Sequence, residues 1–189
     1  PEDTDFVGIG MHSGACHQVS MMIMKALKEK DPDLPVVMGG NLATSIYPDL
    51  IRDGADYVIL SEGEIGALDL VRHFEGKKDI NEIDGVAWKE NGAMRVNPKT
   101  KFIKNLDEIP FPAIDLLPLQ NYWDLGYAHG PFEGKYSFLM TSRGCPFGCH
   151  FCATPSLWQR RWRARSPRNI VDEMEHFQRK FGINDYHIQ

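Results

Sequence analysis

A chain of 189 residues, 42% hydrophobic and 25% charged, has the make-up of an ordinary globular protein and the length for one or two domains. Its net charge of -5 carries no global basic footprint, so nucleic acid is not the default partner. No run approaches the roughly 18 consecutive apolar residues of a membrane span. The N-terminus lacks the basic-then-apolar layout of a secretory signal. Four cysteines, three of them clustered, argue against a disulfide framework and for a reducing cytoplasm. The chain opens without Met just before a strand and stops at Tyr186–Gln189 inside another, which reads as a piece cut from a longer protein.

The first half alternates strand and helix. Phe6–Gly10 is a short apolar run, and Val19, Met22, Ile23, Ala26 and Leu27 then recur at helical spacing. Pro35–Met38 reads as a buried strand stopped by Gly39 and Gly40, followed by a short helix carrying Tyr47, Leu50 and Ile51. Tyr57–Leu60 is the third strand. Ser61 and Glu64 fit a capping box that opens a helix through Phe74, closed by Gly76. Strands joined through helices imply a parallel sheet covered on both faces. A hairpin follows, Val86–Trp88 against Met94–Val96 about an Asn91-Gly92 turn.

Pro98, Pro110, Pro112 and Pro118 then mark an extended connector. Tyr136–Met140 leads into the cysteine loop, and Ser166 and Pro167 start a helix as N-cap and N1. Its expected core face is Ile170, Val171, Met174, Phe177 and Phe181, and Gly182 ends it before a strand from Ile183. The second half thus opens a strand–helix–strand unit with the cysteines at the C-terminal end of its first strand. That is the end where α/β folds place their sites.

Cys145, Cys149 and Cys152 stand at Cys-x3-Cys-x2-Cys spacing, with Phe151 before the last. Thiolates are soft ligands that suit iron–sulfur clusters or zinc. Three of them without a nearby fourth leave one coordination position open, whereas structural zinc wants four ligands. The bland alternatives are a zinc site or three reduced surface thiols. His150 is awkwardly placed to complete a zinc site, and Cys16 lies in the other half of the chain.

The run Thr141–Cys152 resembles the cluster-binding motif of the radical S-adenosylmethionine (SAM) superfamily, in the branch that carries an N-terminal cobalamin-binding domain. The segments Trp162–Ser166 and Leu106–Pro110 resemble the same branch. The resemblance implies that Cys145, Cys149 and Cys152 ligate a 4Fe–4S cluster whose fourth iron binds SAM, and that Phe151 packs beside the SAM adenine. One electron from the cluster then cleaves SAM to methionine and a 5′-deoxyadenosyl radical. It further implies a small-molecule substrate and an external one-electron reductant of flavodoxin or ferredoxin type.

The N-terminal half resembles the cobalamin-binding fold, with a serine after one strand and a Gly-Gly pair after the next. On that resemblance Ser13, Gly39, Gly40, Glu62 and Gly63 are candidate cobalamin contacts. A hydroxyl can bond the buried nucleotide tail, and glycines let backbone approach it without Cβ interference. The bland reading makes Gly39-Gly40 a turn and Glu62 and Glu64 acids that satisfy a helix N-terminus. A cobalt-ligating Asp-x-His-x-x-Gly motif and two further strands would lie before residue 1. His12 and His17 read as solvated loop histidines, and Cys16 as a thiol opening a helix. Trp158–Arg165 holds four arginines and two tryptophans without an acid. It reads as a loop whose arginines anchor an anionic ligand or neighbouring carboxylates in preference to a nucleic-acid contact.

The expectation is therefore an α/β chain in three parts. Residues 1–105 are the C-terminal part of a flavodoxin-type, cobalamin-binding-like domain, 106–134 a linker, and 135–189 the first βαβ unit of a radical SAM partial TIM barrel. The expected parent reaction is cobalamin-dependent methyl transfer or radical cyclisation, with this piece alone inactive. The alternatives are a methylthiotransferase-like tRNA-modifying enzyme without cobalamin, or a non-enzymatic metal- or cobalamin-binding module.

Overall fold

Val36, Val37 and Met38 are all buried, which a strand allows only when both of its faces are covered. The computed structural model describes residues 4–126 and 134–189. Part of the expected linker, with His129, lies outside the described residues. The chain divides into two compact units, Pro1–Phe102 with Cys149–Gln159, and Ile103–Gly148 with Arg160–Gln189.

The first unit runs β1 (Val7–Gly10), α1 (Gly14–Lys30), β2 (Val36–Gly39), α2 (Asn41–Arg52), β3 (Tyr57–Ile59), α3 (Gly63–Phe74), β4 (Val86–Glu90) and β5 (Ala93–Asn97). Its sheet has the order β1-β2-β3-β4-β5, parallel across the first three strands and antiparallel beyond. The hairpin therefore does not follow the sheet as a separate piece: Ala87 pairs with Val58, and the hairpin extends the sheet itself. Asn91 and Gly92 both take positive φ, the requirement of a tight type I′ turn. One core lies between the sheet and the first two helices, with Met24, Leu50 and Ile51 on Val36, Met38 and Val58. The opposite core sets Leu70 on Val37, Ile59, Val86 and Trp88.

Local chemistry shifts several element ends. α2 begins directly after Gly40 and kinks at Ile46, because Pro48 cannot continue the hydrogen-bond ladder. Ser61 is not the N-cap of α3: Glu62 is. Ser61 takes φ +62, its N–H donates to Thr44 Oγ1 at 2.8 Å, and its hydroxyl donates to Leu157 O at 2.7 Å. In α1, burial falls on Ser20 and Met24, while Val19, Met22 and Ile23 are exposed.

The second unit contains α4 (Leu119–Leu125), β6 (Tyr136–Leu139), β7 (Ser142–Arg143), β8 (Arg163–Ala164), α6 (Pro167–Phe181) and β9 (Asp185–Ile188). The short α5 (Thr154–Trp158) belongs to the first unit. β6 pairs in parallel with β9, and α6 connects them, the expected strand–helix–strand unit. Ser166 caps α6, its hydroxyl accepting the Asn169 N–H at 3.1 Å, and Gly182 closes it at φ +71. The core of this unit is Ile114, Phe177 and Ile183. Val171, placed on the expected core face of α6, is half exposed; Phe177 is buried as expected, and so is Glu173, only 2% exposed. It forms an ion pair with Arg165.

Two outcomes test these packing arguments. Gly40 has φ +100 and ψ 178, a region open essentially only to glycine, and a Cβ there would stand 2.5 Å from Met11 O. Gly40→Ala should lower stability by on the order of 3 kcal/mol in urea unfolding. Arg165→Ala leaves the Glu173 carboxylate buried and unpaired, at an expected cost of about 3–5 kcal/mol. Hydrogen exchange should show lost protection in β6 and α6, and unchanged protection would refute the role of the pair.

Candidate metal centre

Residues 144–162 run from β7 to β8, and within them Cys149–Gln159 is grouped with the first unit. The two strands pair antiparallel, Ser142 with Ala164 and Arg143 with Arg163, so the excursion is closed at its base by its own ladder. Arg165 secures that base. Its N–H donates to Thr141 O at 2.9 Å, and its guanidinium donates to Met140 O at 3.0 Å and to Asn169 Oδ1 at 2.7 Å while pairing with Glu173. Arg163 donates to Ile103 O at 2.6 Å, and the Ser166 N–H donates to Asp107 Oδ1 at 2.8 Å. The Ser166 hydrogen bonds hold the Asp107 carboxyl below its ordinary range. The segments around Asp107 and Arg165, singled out separately in the sequence, thus meet in the structure.

The three thiols are free of disulfides, Cys149 exposed and Cys145 and Cys152 half-buried. Hydrogen bonds from the Thr154 hydroxyl and N–H lower the Cys152 thiol below its ordinary value, with slight burial acting the other way. A thiol biased toward thiolate is a better metal ligand. Cys152 N–H donates to Cys149 O at 3.1 Å, a turn between two of the candidate ligands. Gly144, at φ +85, supplies the sharp bend before Cys145. Phe151 is 94% exposed, which leaves its ring open to a planar partner. Among the described residues no three His, Cys, Asp or Glu side chains gather as a metal-holding group. The donor set thus fits a thiolate-bound metal in chemistry, and binding would draw the thiols inward.

The positions assigned to cobalamin lie at the C-terminal ends of strands in the first unit. Ser13 is exposed at the N-cap of α1, where its N–H faces Cys16 Sγ at 3.5 Å and the Cys16 thiol donates back to Ser13 O at 2.9 Å. The Ser13 N–H at the sulfur lowers the Cys16 thiol below its ordinary value; Cys16 itself is half-buried. The two glycines of the pair differ. The space beside Gly40 is filled by Met11 backbone, whereas a Cβ on Gly39 would meet only ordinary contacts. Gly39 pairs with Gly10, and Gly8 has nothing within 4 Å of its Cβ position, so the three form a strip of sheet without side chains. Glu62 is buried, and its carbonyl accepts Lys99 Nζ at 3.3 Å, while the space beside Gly63 is open. His12 and His17 are exposed.

Glu173 was not expected from the sequence, yet a signal was present: a lone carboxylate at helical spacing between Ile170 and Phe177, on the face meant for the core. The second unit also holds a cavity of about 480 Å³, lined among others by Phe111, Ile114, Trp123, Phe177, Arg165 and Glu173, and none of the described cysteines lines it. No described helix is long and apolar enough to cross a membrane.

Comparison with known proteins agrees with the loop. Residues 139–188 match the model of the radical SAM superfamily. An uncharacterised methyltransferase of Pyrococcus horikoshii is 34% identical over 97% of the chain, and the chain covers 39% of that protein. The anaerobic magnesium-protoporphyrin IX monomethyl ester cyclase of Synechocystis is 27% identical over 94% of the chain, which covers 35% of it. Among solved structures, the radical SAM methyltransferase TsrM from Kitasatospora setae, with cobalamin and a 4Fe–4S cluster bound, superposes with a TM-score of 0.68. At 20% identity, over 98% of this chain and 37% of TsrM, that likeness speaks to the fold. The chain thus spans between a third and two fifths of the length of these relatives. The segment that carries the cysteine loop and the βαβ unit around it is thus similar to the radical SAM superfamily, and the relatives of the chain include proteins named as methyltransferases and cyclases.

Proposed function

We propose that the chain is part of a cobalamin-dependent radical SAM enzyme, with Cys145, Cys149 and Cys152 holding a 4Fe–4S cluster. The observation that carries this reading is a Cys-x3-Cys-x2-Cys loop inside the matched segment, at the end of a parallel strand and closed at its base. When bound, the cluster and SAM supply one-electron chemistry for hydrogen abstraction, and cobalamin supplies a methyl carrier. The chain's own residues prepare the site. Thr154 biases Cys152 toward its ligating form. Phe151 offers an open ring for the adenine of SAM.

Residues 1–105 are read as the cobalamin-binding part, 106–134 as linker and 135–189 as the start of a radical SAM barrel. Ser13, Gly39 and Gly63 are the contacts that remain open to a cobalamin tail, beside the strip of Gly8, Gly10 and Gly39. Gly40 and Glu62 serve the fold around it. Methyl transfer on a small molecule is the favoured reaction, because the relative at 34% identity bears a methyltransferase name. Cyclisation is the second reading, on the name of the Synechocystis relative. An external flavodoxin- or ferredoxin-type reductant and a cytoplasmic setting complete the proposal. Turnover is assigned to the longer protein, since the relatives are more than twice this length.

Anaerobic reconstitution with iron and sulfide should give a brown chain, and replacing any one of Cys145, Cys149 or Cys152 with Ser should abolish most of the bound iron. A colourless, zinc-loaded protein would overturn the cluster assignment. Hydroxocobalamin should stay with the chain through gel filtration and be released by Gly39→Val, which fills the side-chain-free strip. A wild-type chain that elutes without cobalamin removes that part of the proposal.

A further inference from the structure

Gln159 and Arg160 lie consecutively at φ +52 and +56, a left-handed conformation that side-chain-bearing residues seldom adopt singly and rarely in pairs. Such strain costs on the order of 1–3 kcal/mol per residue and persists only where surrounding contacts enforce it. The contact that follows from it is specific. The Arg160 guanidinium occupies the space where Gly148 would carry a side chain: a Cβ there would stand 2.7 Å from Nη2, 3.0 Å from Cζ and 3.2 Å from Nε. Gly148 directly precedes Cys149 and comes three residues after Cys145. The strained bend and the bare glycine therefore meet in a single contact, and it places a permanent cation on the backbone between two cysteines.

We propose that Arg160 is a positioning residue for the cluster loop, acting through Gly148 to hold the loop's shape and to favour the reduced cluster. The inference rests on the reading of the three cysteines as cluster ligands. Reduction adds one electron, delivered by the external reductant, and so one negative charge. A guanidinium fixed beside the loop attracts that added charge and raises the reduction potential. Because Arg160 is exposed, the effect is screened by salt. Gly148 serves the same contact from the other side. A methyl group at Gly148 collides only with the guanidinium end of the Arg160 side chain, so Gly148→Ala dislodges the guanidinium while leaving its charge in the chain.

The test uses the chain with its cluster reconstituted, in wild type, Arg160→Gln, Arg160→Lys, Gly148→Ala and the Gly148→Ala/Arg160→Gln double variant. Midpoint potential, the electron paramagnetic resonance signal of the reduced cluster and iron release to a chelator are measured at low and high salt. Arg160→Gln is expected to load iron and sulfide as wild type does. Its potential should become more negative, and its iron release faster by roughly ten- to a hundredfold, the range for partners just outside the ligand set. Gly148→Ala should shift both readouts the same way, Arg160→Lys should restore part of the potential, and high salt should narrow the difference in potential. The double variant should go no further than either single change, the signature of one shared interaction. Unchanged potential and release rate in Arg160→Gln, or fully additive effects in the double variant, would overturn the inference while leaving the cluster assignment intact. A wild-type chain that takes up no cluster would instead remove the assignment on which it rests.

Discussion

The Arg165 side chain is the constraint on which the cysteine loop depends. It joins the carbonyl at the end of β6 to the first turns of α6 through Met140, Asn169 and Glu173, and its own backbone pairs with Thr141. These contacts settle where the chain leaves the strand and where it returns, so the cysteine loop is closed before any of its thiols is positioned. The pair is expensive to bury. Removing two charges from water offsets most of their attraction, so an apolar replacement of equal size could match it in stability. What an apolar pair could not do is fasten a particular carbonyl to a particular helix turn with directional bonds. Here the ion pair contributes geometry more than stability.

The tip of the loop is built on the opposite principle. Cys149 and Phe151 are exposed and the thiols do not gather as a metal-holding set, whereas the base is held by a ladder and a buried charge pair. A rigid base with an adaptable tip suits a site whose final shape is imposed by the group it binds, since ordering a few loop residues costs less than ordering the whole excursion.

Much of this was legible in the sequence, for reasons that can be stated. β2 and β3 were readable because strands buried on both faces leave continuous apolar runs, and α6 because Ser166-Pro167 and Gly182 punctuate it. The thiol spacing was readable because it is local. What was not readable depended on distant partners. Ser61 looked like an N-cap, but its hydroxyl goes to Leu157, ninety-six positions along the chain, and no local pattern reports that. Glu173 is buried because Arg165, eight positions before it, pairs with it, and its own local pattern of charges does not report that partner. The apolar residues of α1 divided between a buried and an exposed face, because periodicity reports that a helix has an apolar side without saying which side is covered.

The Gly39-Gly40 pair shows how structure separates two meanings that sequence fuses. Both residues lack a side chain, and either could serve a turn or a ligand. For Gly40 the answer is internal: Met11 N–H donates to Gly39 O, Leu42 N–H donates to Met11 O, and any Cβ on Gly40 would strike the backbone that makes these bonds. Its bareness is used up by the fold. Gly39 has no such claimant, and with Gly8 and Gly10 it leaves part of the sheet without side chains. A strand position normally gains stability from a packed side chain, so three adjacent positions without one forgo burial that valines would provide. That sacrifice is intelligible if another group lies there, and it makes Gly39, rather than Gly40, the informative member of the motif.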